Sequence, residues 1–170
     1  MTTKPRDSRL KILDVEAMLA ERVRLREAGR TLAFTNGCFD ILHVGHVEYL
    51  AFARRQADAL CVGLNSDASV HRNKGPERPF VPETDRARVL AALEVVDYVV
   101  LFDTPEPEPL IAHLLPDVLV KGADWAHYVS GREAVERNGG RVVLARMVEG
   151  RSTTQLAEKI RRSGTDKEEA

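Results

Sequence analysis

The strongest constraint on how this chain can fold is a series of five short apolar or β-branched runs. They are "TLAFT" (31–35), "ALCVGL" (59–64), "DYVVLF" (97–102), "DVLVK" (117–121) and "RVVLA" (141–145). None alternates polar with apolar residues, so each reads as a strand covered on both faces rather than one with a wet side. Between them, Val44, Val47 and Leu50 recur at helical spacing, as do Val89, Leu90 and Leu93, and a further helix is expected from about 131 to 138.

Strands alternating with helices build βαβ units. The expected fold is therefore α/β: a Rossmann-like doubly wound sandwich with a parallel sheet of about five strands and helices on both faces. Ahead of the first strand, "ILDVEAMLAERVRLREAGR" reads as an amphipathic helix with Ile12, Val15, Met18 and Leu19 on one side and Gly29 near its end. Residues 1–30 are thus a helical extension packed on a domain that spans 31–162. The polar tail 163–170 is expected to be disordered. Two stretches rich in Pro and charge, 71–84 and 103–110, read as loops, and the first carries His71, Arg72, Lys74 and Arg78.

A chain of 170 residues with 44% hydrophobic content suffices for one core. Its 25 Lys plus Arg against 26 Asp plus Glu leave no surplus of positive charge for non-specific nucleic-acid binding, so any phosphate must be held by local groups. The two cysteines, Cys38 and Cys61, lie in or beside apolar runs, which suits reduced thiols better than a disulfide framework or a zinc site. No basic start followed by an apolar stretch is seen, and nothing approaches the roughly 18 apolar residues that cross a bilayer. A soluble, cytoplasmic protein is expected, with no nucleic-acid or membrane partner.

The segment "NGCFDILHVGH", Asn36 to His46, then falls at the crossing from first strand to helix, on the carboxyl edge where open α/β sheets bind ligands. A helix starting near His43 leaves free N–H groups and a positive dipole end for a phosphate. Gly45 lets an anion approach the backbone, and a spacing of three puts His43 and His46 on one face. The same pair would also suit a helix start with polar side chains facing solvent, or a weaker metal pair without a third ligand nearby. Later, Gly150, Ser152, Thr153 and Thr154 in "EGRSTTQLAEKI" precede a helical pattern, as an ordinary N-cap or as a second anion site. "DVLVKGADW" runs from a strand into a glycine turn and the single Trp.

"CFDILHVGH" resembles the signature of the cytidylyltransferase-like nucleotidyltransferases, in which an H-x-G-H element binds nucleotide phosphates. Across "FTNGCFDILHVGHVEYL", "GLNSDASV", "KGPERP", "VKGADW" and "VEGRSTT", from Phe34 to Thr154, the chain is most similar to bacterial D-glycero-β-D-manno-heptose 1-phosphate adenylyltransferases, which make ADP-heptose for lipopolysaccharide. A kinase domain fused upstream in some members has no expected counterpart in the residues before the first strand. The resemblance implies ATP and a heptose 1-phosphate as substrates, magnesium with the triphosphate, and a possible homodimer. The alternatives are a CTP-dependent cytidylyltransferase of a polyol or sugar phosphate, favoured less by Lys121 and Ala123, which depart from the cytidylyltransferase pattern, and a non-catalytic nucleotide-binding regulatory module.

Residue by residue, the resemblance implies that His43 and His46 meet the reacting phosphates with Lys74 as a mobile cation. Nucleotide contacts are expected from Asn36, Gly37, Cys38, Phe39, Gly45, Lys121, Gly122, Asp124, Trp125, Glu149, Gly150, Ser152, Thr153 and Thr154. Asp40, Asn65, Asp67, Arg72, Arg78 and Arg86 are expected on the substrate side, with Asp40 either a magnesium ligand or a turn residue.

Overall fold

The computed structural model describes residues 7–146 and 153–165. A six-stranded, all-parallel sheet forms its centre, in the order β1-β4-β3-β2-β5-β6. The strands are β1 (Ile12–Leu13), β2 (Leu32–Gly37), β3 (Ala59–Asn65), β4 (Tyr98–Phe102), β5 (Val118–Gly122) and β6 (Arg141–Ala145). Among the described residues, seven α-helices surround it: α1 (Val15–Glu27), α2 (Val44–Arg54), α3 (Asp67–Lys74), α4 (Glu83–Ala92), α5 (Glu108–Leu114), α6 (Arg132–Arg137) and α7 (Thr153–Thr165).

The expected α/β sandwich is present, with one strand more than the sequence pattern indicated. That strand, β1, is a two-residue edge paired with Val99 and Val100. Ile12 therefore belongs to the sheet and not to the amphipathic helix, because Asp14 caps the helix one residue before Val15, its side chain accepting from the Ala17 N–H at 2.8 Å. α1 buries Met18, Arg22 and Leu25. Arg22 donates to the Leu114 and Leu115 carbonyls and pairs with Asp117, so the leading helix is tied to the sheet and to the end of α5.

Alternate strand residues feed two cores, as a sheet covered on both faces requires. Phe34, Cys61, Val100 and Leu119 pack with Met18, Leu25, Leu110, Ile111 and Leu114 on one face. Ala33, Leu60, Val62, Val99, Val118 and Val120 pack with Leu50, Ala53, Ala87 and Leu90 on the other.

The expected loop 71–84 is shorter than its composition indicated. Residues to Lys74 are helical in α3, which Ser66 caps by accepting from the Ser69 N–H at 3.0 Å and which Gly75 ends at a φ of 93°. A left-handed φ of that kind favours glycine. Lys74 is thus the last residue of a helix and not a loop tip. At the other end of the chain, α7 runs through Thr165, past the expected start of the tail at 163, and 166–170 lie outside the described residues.

The strand order reverses beside β2: β3, β4 and β1 lie on one side of it, β5 and β6 on the other. The carboxyl ends of β2 and β5, Asn36–Gly37 and Lys121–Gly122, therefore border the crevice in which doubly wound sheets hold ligands.

Candidate active site

β2 leads into this crevice through a strained turn. Phe39 has a φ of 43°, a left-handed conformation that costs a bulky residue of order 1–3 kcal/mol and persists only where the surroundings fix it. Those surroundings are visible: the Phe39 ring is buried, lies 5.2 Å from the His46 ring, and leaves so little room that a Cβ on Gly37 would come within 3.0 Å of it. The Phe39 ring thus fills the space between Gly37 and His46. Cys38 is half-buried, its thiol pushed up by burial against the pull of the nearby cations Lys74, Arg86 and Arg78.

α2 begins immediately beyond. His43 occupies its N-cap position in extended conformation, and no side chain caps the helix. Unlike α1 and α3, which Asp14 and Ser66 close, α2 leaves its first turn open to an outside acceptor, with Gly45 buried in it. The His43 and His46 rings stack, 3.9 Å between centroids and 23° between planes. The expected face-sharing is thereby met in a tighter form. His46 Nδ1 is buried and has no hydrogen-bond partner among the described residues. Burial first, and His43 second, hold the His46 pKa down to about 4, so the ring is a neutral donor near pH 7.

Tyr49, one turn on, locks α2 to the sheet. The Thr35 hydroxyl lies 2.6 Å from the Tyr49 hydroxyl, which donates to the Val120 carbonyl at 3.1 Å, and burial pushes the phenol up to about 12. The histidines are therefore mounted on a helix fixed to β2 and β5. Across the crevice, Lys121 at the end of β5 donates to the Asn36 side-chain oxygen, and burial lowers its ammonium to about 8.

The start of α7 reaches the same place. Thr153 donates from its hydroxyl to the Ile41 carbonyl at 3.3 Å, two residues before His43. Glu149, Gly150 and Ser152 lie outside the described residues, and of Thr154 only its place in α7 is described. Lys74 is exposed and lines an open cleft of about 490 Å³ together with Gly75, Arg78, Phe80 and, from α7, Ala157 and Glu158.

Several expected substrate residues have another occupation. Asp40 is buried, with one oxygen accepting from the Phe80 and Val81 N–H groups at 2.8 and 2.9 Å and the other from Arg78 Nε at 2.6 Å. Both oxygens are committed to the 75–82 loop, an anchoring role instead of a magnesium ligand or a turn bonded to its own backbone. Arg78 in turn lies over the Phe80 ring at 4.5 Å.

Arg86, 1% exposed, is not a surface cation for substrate: it donates to the carbonyls of Cys38 (2.6 Å), Asn65 (2.9 Å) and Val81 (2.8 Å) and to Asp67 at 2.6 Å. Asn65 donates to Ser69, and the Asp67 N–H donates to Glu83. Arg72 pairs with Asp103 beyond β4. Asp124 and Trp125 sit in an exposed 3₁₀ turn after Gly122, Trp125 stacked on His127 at 6.3 Å. Composition in a helical pattern gave no signal for the role of Arg86; only the convergence of three carbonyls shows it.

The described side chains hold no cluster of three or more His, Cys, Asp or Glu suited to a metal ion, and none of the described helices is long and apolar enough to cross a membrane.

Known proteins resemble this chain. A bacterial "Bifunctional protein HldE" from Citrifermentans bemidjiense is 55% identical over 92% of this chain, which covers 32% of that protein. The chain spans about a third of the length of the curated relatives it matches. The "lipopolysaccharide core biosynthesis protein" of Thermoplasma volcanium has a solved structure that is 28% identical, superposes with a TM-score of 0.58, and pairs 71% of this chain with 98% of that one. A pantoate-β-alanine ligase from Francisella tularensis shares the fold, with a TM-score of 0.59 at 14% identity over 84% of this chain and 68% of that one. The sequence profile described as cytidylyltransferase-like matches residues 34–166, the stretch that carries the strained turn, the stacked histidines, the β5 lysine and the start of α7. With most of its length matched in this way, the chain belongs to the cytidylyltransferase-like family.

Proposed function

We propose that this chain transfers AMP from ATP to D-glycero-D-manno-heptose 1-phosphate, giving ADP-heptose and pyrophosphate for lipopolysaccharide core synthesis. The reading is supported by the likeness to "Bifunctional protein HldE" sequences and to a lipopolysaccharide core biosynthesis protein. The observation that carries it is the stacked histidine pair on the uncapped start of α2, against which the start of α7 is seated through Thr153.

In this reading a sugar-phosphate oxygen attacks the α-phosphorus of ATP, the bond from that phosphorus to the bridging oxygen breaks, and the electron pair leaves with pyrophosphate. Such chemistry asks for positioning and charge stabilisation and needs no nucleophile from the protein. His46 donates as a neutral imidazole to the α-phosphate, where charge shifts as the bridge breaks, and His43 to the neighbouring bridge. The open N–H groups of α2 face the same oxygens. Thr153 and its neighbours at the start of α7 hold the outer phosphates. Lys74, at the end of α3, supplies a flexible cation from across the cleft. Tyr49 and Phe39 position these groups without touching the reacting atoms.

Magnesium is proposed to enter as the ATP complex, with phosphate and water oxygens as its ligands. The residues described do not build a protein site for it, since Asp40 is committed to Arg78 and the loop. The protein is proposed to work in the cytoplasm.

Pyrophosphate release from purified protein with magnesium, heptose 1-phosphate and either ATP or CTP tests the reading. Turnover with ATP well above CTP is expected. Faster turnover with CTP overturns the choice of base, and binding of nucleotide without pyrophosphate release supports the non-catalytic module.

A further inference from the structure

Three of the arginines expected in the substrate region are neutralised internally. Arg78 pairs with Asp40, Arg86 with Asp67 and Arg72 with Asp103. Lys121 differs. It sits part-buried at the carboxyl end of β5, opposite Asn36, and among the described residues no carboxylate forms an ion pair with it. Its hydrogen-bond partner is a neutral amide oxygen, and Glu106, the charge that favours its protonated form from the loop ahead of α5, bonds instead to the Tyr128 hydroxyl at 2.9 Å.

Withdrawing an ammonium from water without a paired anion costs free energy, and burial accordingly lowers its pKa to about 8. Such a group at the reversal of strand order is a charge that no carboxylate among the described residues pairs. Asn36 orients the ammonium without cancelling it. Its remaining donors are available to a ligand in the crevice.

We propose that Lys121 is a catalytic cation that meets a phosphate oxyanion in the crevice between β2 and β5. This rests on the proposed nucleotidyl transfer for the identity of the two phosphates on offer, the nucleotide's and the sugar's. Asn36 is its positioning residue. Lys74 is exposed and reaches in from α3, whereas Lys121 is fixed on the sheet, so the two cations approach from different sides.

Calorimetric titration of wild type, K121R and K121M tests this, first with magnesium and ATP, then with heptose 1-phosphate in the presence of a non-hydrolysable ATP analogue. Without the ammonium to meet the phosphate at this part-buried site, K121M is expected to bind roughly 10- to 100-fold more weakly, with K121R within about threefold of wild type. Weakening in the first titration assigns the nucleotide phosphate, weakening in the second the sugar phosphate. The apo K121M protein is expected to melt no lower than wild type, because methionine removes an unpaired charge while keeping most of the stem.

Equal affinities for both ligands in K121M overturn the proposal. So does a K121M protein that melts well below wild type, since the lysine would then serve the fold. A wild-type protein that binds ATP but does not bind heptose 1-phosphate overturns the proposed acceptor, and the ATP titration then decides for Lys121 alone.

Discussion

Two polar clusters flank the end of β2, and they are opposite in how far they satisfy themselves. On one side, Asp40, Arg78, Arg86, Asn65 and Asp67 form a closed network in which both Asp40 oxygens and all three Arg86 nitrogens have partners within the chain. On the other, His46 keeps a buried nitrogen with no partner among the described residues, α2 is uncapped, and Lys121 faces no paired carboxylate. Buried polar groups that are fully paired specify a structure, and those left open lower stability and await a ligand. The closed cluster holds the shape of the crevice, and the open one meets the substrate.

The largest test of that division is R86M. Removing the buried guanidinium strands three carbonyls and Asp67, and is expected to cost about 3 to 5 kcal/mol in urea unfolding, with activity lost only as the fold is lost. Next comes H46A, expected to lower turnover on the order of 100-fold, about 2.7 kcal/mol, with an unfolding midpoint close to wild type. A large stability loss in H46A, or rate loss in R86M without instability, would break the comparison. G37A sharpens it: the added Cβ meets the Phe39 ring at 3.0 Å, so about 1 kcal/mol of stability should go, together with turnover, because the ring also abuts His46.

A smaller effect concerns pH. His46 titrates at about 4 in the fold against 6.5 as a free side chain, so between those values the unfolded chain binds the extra proton. Stability contributed by the neutral ring is fully present above pH 6.5 and declines as the pH falls towards 4. H46Q, neutral throughout, should show a flatter loss of unfolding free energy across that window, and an unchanged slope would remove His46 as its source.

The open side was the more legible in sequence. A helix starting near His43 with His46 on the same face is expected from the spacing and is found, whereas the contact of Lys121 with Asn36 needed the strand order that sets β5 beside β2. The closed side was not legible, because Arg86 sits in a helix whose pattern of charges reads as a surface. Its burial depends on carbonyls from three segments distant in sequence. α3 was hidden too: "DASVHRNK" has few apolar residues, and its bounds are marked by the Ser66 cap and Gly75 instead of by periodicity. β1 is too short for any run to announce it, and only its pairing with β4 defines it.

The most direct test is NMR of protein labelled with ¹⁵N at its five histidines, titrated with magnesium and ATP at pH 7. The ring signals of His43 and His46 should shift together as nucleotide saturates, His46 remaining neutral, while His113 on α5 stays in place. Saturated binding that leaves both His43 and His46 unmoved would contradict the assignment of the triphosphate to the start of α2.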